Sequence, residues 1–230
     1  MDRRGFLKVA AAASVGAAAV PAITRLGGSM TEPAQSVLWP FSGPVLDQGK
    51  IGSCTGNAVT QWSNTEYARA ISKRTAYLTE PDAVQVYHLA EKLDGLGAPF
   101  YDDRGSTGDA ACSAAVELGW LKGYENVKPT VDGIITALRE QPLIVGSTWM
   151  SDMFNPDASG LVSATGSVAG GHEYVILGFD IPAGVFTCLN SWSDSWGVHG
   201  GFCIKFDDLV KIIADPNPPS AVTAPIARDF

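Results

Sequence analysis

Cys54 closes the stretch Leu46-Asp47-Gln48-Gly49-Lys50-Ile51-Gly52-Ser53-Cys54, in which a glutamine precedes a cysteine by six residues with two glycines between. Far downstream come Gly170-Gly171-His172 and then Asn190-Ser191-Trp192. Alone, each residue has a bland role: a buried thiol, a strand-edge histidine, a turn asparagine, a loop glutamine. In the order Gln, Cys, His, Asn they can build a nucleophile. The imidazole takes the thiol proton, the asparagine amide orients the ring, and the glutamine amide faces the developing oxyanion. A free thiol has a pKa of about 8.5, and a helix N-terminus together with an imidazolium can bring it to about 3 to 4. Cys54 is expected to gain both effects, with its own backbone N–H as the second oxyanion donor.

The elements that must position these groups can be read from periodicity and punctuation. Ser53 to about Ser72 is expected as one helix, with Ala58, Val59, Trp62, Tyr67, Ala70 and Ile71 at near-helical spacing. A second helix runs from Asp82 to Leu93 behind Pro81, a third over Ala110–Leu118 ending at Gly119, and a fourth over Val131–Glu140. The second half changes character. Pro142–Ser147 and Tyr174–Phe179 are apolar runs fit for buried strands, and strands around Cys188 and Cys203 follow. Helices followed by strands predict an α+β fold. The 230-residue chain, 46% hydrophobic and 17% charged, is long and apolar enough for a sizeable core.

The three islands around Cys54, His172 and Asn190 resemble the papain family of cysteine peptidases. The likeness covers roughly residues 39 to 210. Asn190-Ser191-Trp192-Ser193-Asp194-Ser195-Trp196-Gly197 is similar to the family's Asn-Ser-Trp-Gly-x-x-Trp-Gly, with Ser193 in place of the first glycine. The resemblance implies a two-lobed α+β fold, a helical lobe and an antiparallel β-barrel lobe with the active site in the cleft between. It implies a catalytic set of Cys54, His172, Asn190 and Gln48. Trp192 is expected to shield the His172–Asn190 bond and, with Gly171 and Glu173, to meet substrate. Glu173 stands near the family's second specificity pocket, where it would favour a basic side chain. Two departures concern packing: Thr55 replaces a common tryptophan, and Ile51 replaces a cysteine that in many members forms a disulfide.

The resulting expectation is a cysteine peptidase acting on polypeptides through a thioester. A non-catalytic papain-like module that binds peptide or cell-wall material is the competing reading. The domain expectation is a signal over 1–22, an extended segment over 23–45, a catalytic domain over 46–212 and a Pro-rich tail over 213–230. Within the catalytic domain the helical lobe spans about 53–140 and the β lobe about 141–212.

Arg3-Arg4 before the Ala-rich run Val9–Val20 resembles a twin-arginine export signal ending near Ala22. That run makes about 18 Å of helix against the ~30 Å hydrocarbon core, so no lasting membrane span is expected and the destination is periplasm, cell wall or medium. A net charge of −8 without a basic run argues against nucleic acid as a partner. No spacing implies a metal or organic cofactor. With Cys54 reserved, Cys112, Cys188 and Cys203 remain; a Cys188–Cys203 disulfide and two separate buried thiols are both open.

Overall fold

The computed structural model describes residues 34–95, 103–214 and 220–229, whose elements fall within one compact unit, Gln35–Phe230. The export signal expected over 1–22 lies outside the described residues. Among the described residues six α-helices and seven strands follow, with a short 3-10 turn at Ser151–Phe154, in the order β1 (Ser36–Leu38), α1 (Cys54–Ser63), α2 (Glu66–Ser72), α3 (Glu80–Leu93), α4 (Gly108–Glu117), β2 (Leu121–Val127), α5 (Val131–Leu138), β3 (Leu143–Met150), β4 (Val168–Asp180), β5 (Val185–Leu189), β6 (Gly201–Lys205), α6 (Phe206–Ile213) and β7 (Val222–Ala227). The fold is α+β, as expected.

The helix expected over 53–72 is two helices. Thr65 ends the first and starts the second: its hydroxyl donates to Trp62 O at 2.7 Å and accepts from Ala68 N. Asn64 fixes the break by bonding both N–H and C=O of Leu78. The apolar spacing continues across the gap, which is why periodicity alone reads one helix. Helices α1 and α3 approach so closely at Gly56 that a Cβ there would lie 2.1 Å from the Ala83 carbonyl oxygen.

All strand pairs are antiparallel, in the order β2-β7-β3-β4-β5-β6, with β1 on the free part of β4. The end strands β2 and β6 do not pair, so the sheet is open rather than the closed barrel expected. Two further expectations are corrected. Residues 121–127, placed in the helical lobe, form strand β2; Lys122, Gly123, Glu125 and Asn126 hide its pattern, and it exists because β7 pairs along its length. The Pro-rich tail supplies β7, an interior strand between β2 and β3. Pro225 is tolerated because β3 pairs only as far as Thr223, so no partner there needs its missing N–H.

The sheet is buried on both faces. Leu143, Val145, Tyr174 and Ile176 pack with α5 and α6 residues such as Ile134, Leu138, Leu209 and Ile212. Ile144, Val175 and Leu177 pack on the opposite side against Val59, Trp62, Val86 and Ala111 of α1, α3 and α4. This alternation along β4 decides the site. His172 has the parity of Tyr174 and Ile176; Glu173 has the parity of Val175 and faces the helices.

Cys188 lies opposite Phe202 and Cys203 opposite Thr187, so the two cysteines project to opposite faces of the β5–β6 pair. Both are free, which settles the disulfide question for two separate thiols.

Candidate active site

Cys54 is the first residue of α1, at the end where unpaired N–H groups favour negative charge. It is the one partly exposed cysteine; Cys112, Cys188 and Cys203 are buried. The backbone around the thiol, at Glu173, Thr55 and Cys54, acts to lower its pKa. Burial acts the other way and is stronger, and with the Glu173 charge it pushes the thiol up to about 12. Glu173, whose charge and backbone act on the thiol, directly follows His172 on β4.

His172 sits on β4 opposite Ser147, 7% exposed. Its Nε2 lies 2.7 Å from Asn190 Oδ1. That Asn190 atom also accepts from the Ser191 backbone N–H at 2.8 Å, so it is the oxygen and the ring nitrogen facing it carries the proton. In the neutral ring Nδ1 is therefore the bare, basic nitrogen. Burial lowers the His172 pKa to about 4, partly offset by the Asn190 bond. Each group taken singly is thus pushed toward its neutral form. A resting thiolate–imidazolium pair, expected from the sequence, must form against that desolvation by mutual attraction.

Aromatic rings enclose the imidazole. Trp192 stacks on it at 4.7 Å and 29°, and Phe154 stacks on the far face of that arrangement, 5.4 Å from Trp192. Trp149 meets His172 edge-on at 4.9 Å. Water is excluded from the histidine–asparagine bond on this side. Gly171 is exposed at the open end of β4 beside the histidine.

Gln48 is held by the same strand-end segment that carries Asn190. Its backbone N–H bonds Ser191 O at 3.0 Å, and its side-chain Oε1 accepts from Ser191 Oγ at 2.8 Å. One Nε2 proton is donated to Ile51 O at 3.0 Å. The other makes no hydrogen bond among the described residues and is free to serve an oxyanion.

The loop between Gln48 and Cys54 is tied down without a disulfide. Asp103 Oδ1 accepts from Gly52 N at 2.7 Å and from the Tyr87 hydroxyl at 3.0 Å. Glu80, first residue of α3, accepts from Asp47 N and from Asn57 Nδ2, both at 3.1 Å. Neither anchor was legible in the motif, because each acts from a distant segment. Ser193, in place of the family glycine, has φ of +67°, a left-handed conformation that explains why glycine suits this position. Its hydroxyl reaches Ser195 Oγ at 2.7 Å.

Glu173 differs from the other site residues. It is 6% exposed, and its carboxyl fills a slot between Gly108 and Gly146, where a Cβ would come within 2.2 Å and 2.6 Å of its oxygens. No hydrogen bond or ion pair to the carboxyl occurs among the described residues. Burial, then the charge of Asp109, raises its pKa to about 8. Asp109 Oδ1 is itself buried without a hydrogen-bond partner among the described residues. Sequence reasoning named Glu173 but missed Asp109, Gly108 and Gly146.

No protein-family model matches the chain. An uncharacterised peptidase C1-like protein of Acanthamoeba polyphaga mimivirus is 23% identical over 235 residues, covering 80% of this chain and 72% of that protein. Xylellain, a cysteine protease from Xylella fastidiosa, superposes with a TM-score of 0.68 at 16% identity, over 85% of this chain and 87% of its own. Two plant enzymes solved with E-64, the cysteine protease CMS1MS2 of Carica candamarcensis and bromelain of Ananas comosus, each give 0.58 at 16% identity, over 85% of this chain and 100% of theirs. The fold is papain-like. These cysteine proteases share it across most of both chains.

Proposed function

We propose that the protein is a cysteine peptidase that cleaves polypeptides through a thioester formed on Cys54. The observation that carries this reading is the 2.7 Å bond between His172 Nε2 and Asn190 Oδ1, which leaves Nδ1 as the basic nitrogen on the strand where Glu173, one residue further along β4, influences the Cys54 thiol. In the proposed cycle the thiol proton passes to His172 Nδ1 as the sulfur attacks the peptide carbonyl. The free N–H of Gln48 Nε2 and the N–H of Cys54 stabilise the oxyanion. His172 then gives its proton to the leaving amine. Water, deprotonated by His172, releases the acid and restores the thiol. Because burial holds both partners near neutrality, the proton moves during attack rather than before it. The same burial is what favours the second reading, a papain-like module that binds peptide without cleaving it.

The unpaired Glu173 carboxyl supports a preference for a substrate with a basic side chain beside the scissile bond. A cation entering there would be met by Glu173 and Asp109, which lack one. Fluorogenic peptides with Arg or Leu in the second position before the bond test this, and faster Leu turnover contradicts it. Export is part of the proposal, supported by Arg3-Arg4 and the Val9–Val20 run. The test of the peptidase reading itself is digestion of casein and of muropeptides by residues 23–230, beside Cys54→Ser. Cleavage of either by the wild type alone supports it, and no cleavage of either favours the binding module.

A further inference from the structure

Gln61 is a fully buried amide on α1, two turns beyond Cys54. Its Oε1 accepts from the Leu46 backbone N–H at 3.0 Å, and its Nε2 donates to the Asn190 backbone carbonyl at 3.2 Å. Leu46 opens the loop that ends in Gln48, and its own carbonyl accepts from Ser193 N at 3.1 Å. Asn190 carries the oxygen that orients His172. One side chain therefore touches the nucleophile's helix, the oxyanion loop and the asparagine segment. A methionine would fill a similar volume at this buried position without the desolvation of an amide. The position follows Thr60 and precedes Trp62 on a helix buried almost all round, so packing alone does not call for a polar group there.

We infer that Gln61 is a positioning residue that sets the distance between Cys54, the Gln48 donor and the His172–Asn190 pair. The inference rests on the proposed reading of the site. A shift of about 1 Å between catalytic groups costs on the order of a hundredfold in rate. Loss of either Gln61 bond frees one segment to drift relative to α1.

The test compares Gln61→Met and Gln61→Glu with the wild type, using peptide turnover and the rate of Cys54 alkylation by iodoacetamide, each per folded molecule. In Gln61→Met, kcat is expected to fall at least about tenfold with KM little changed, and alkylation to slow. Gln61→Glu gives the sharper reading. A neutral carboxylic acid accepts with its C=O and donates with its O–H, so it reproduces both bonds. A carboxylate only accepts, and loses the bond to Asn190. Burial raises such a carboxyl, as it raises Glu173 to about 8. The ratio of Gln61→Glu to wild-type activity is therefore expected near one at pH 5 and near the Gln61→Met ratio at pH 9. A ratio flat across pH, or a Gln61→Met protein with wild-type kcat and alkylation rate, overturns the inference even if both variants melt earlier. The alkylation arm needs no substrate, so a wild type that cleaves nothing refutes the peptidase reading and leaves the Gln61 inference to be decided by alkylation.

Discussion

Replacing Glu173 with glutamine keeps the shape of the side chain in its slot and removes its proton equilibrium. In the folded protein the carboxyl holds its proton until about pH 8, against an ordinary 4.5, chiefly because it is buried and then because Asp109 is near. The unfolded chain releases that proton near its ordinary value. Between pH 4.5 and 8 the folded state therefore binds more protons than the unfolded one, and stability falls as pH rises across that window. At about 1.4 kcal/mol per pH unit, the interval is worth on the order of 5 kcal/mol. Glu173→Gln escapes this loss. Its stability is expected to match the wild type near pH 4.5 and to exceed it increasingly up to pH 8, where the difference levels off. A chain of this size gains about 2–4 °C in Tm per kcal/mol, so a separation on the order of 10 °C or more by pH 8 is expected, well within reach of calorimetry. Above about pH 8, where the wild-type carboxyl is charged, the variant also lacks the charge that raises Cys54, so its alkylation there is expected to be faster. Melting temperatures of the two proteins that run parallel from pH 4.5 to 9 would refute the reasoning, because they would mean that the carboxyl is not buried and unpaired.

Three other outcomes follow from the geometry. Gly56→Ala drives a methyl to 2.1 Å from the Ala83 carbonyl, and is expected to destabilise by about 1–3 kcal/mol; an unchanged Tm contradicts the close α1–α3 crossing. Ser193→Gly relieves a left-handed backbone and is expected to raise stability by about 1 kcal/mol in a denaturant titration, with kcat unchanged. Gln48→Ala removes an oxyanion donor worth about 2.7–4 kcal/mol, so kcat is expected to drop about 10²- to 10³-fold; wild-type kcat would take Gln48 out of the mechanism.

Much of the site was legible because its chemistry depends on local words. Gly-Ser-Cys, Gly-Gly-His and Asn-Ser-Trp each place one group on one element, and their order fixes which lies where. The β5 and β6 strands were legible from short apolar runs. What was hidden depends on contacts between distant segments. Strand β2 carries Lys122, Glu125 and Asn126 and becomes a strand through β7. Strand β7 carries Pro225, which reads as a tail until its partner's short pairing is known. The helix break at Thr65 had a local signal, a threonine followed by Glu66, masked by uninterrupted apolar spacing. Asp103, Glu80 and Gln61 act across separations that no motif records. Gln61 left one clue, a polar residue beside Trp62 on the face expected to be buried.

The central claim is that His172 acts on the Cys54 thiol. The measurement that tests it most directly is the iodoacetamide alkylation rate of Cys54 from pH 4 to 9, located by peptide mapping, in the wild type and in His172→Ala. Wild-type Cys54 is expected to react well below pH 12, to which burial and the Glu173 charge push its thiol, and His172→Ala is expected to abolish this reactivity. A wild-type rate that stays negligible until alkaline pH and is unchanged in His172→Ala would contradict it.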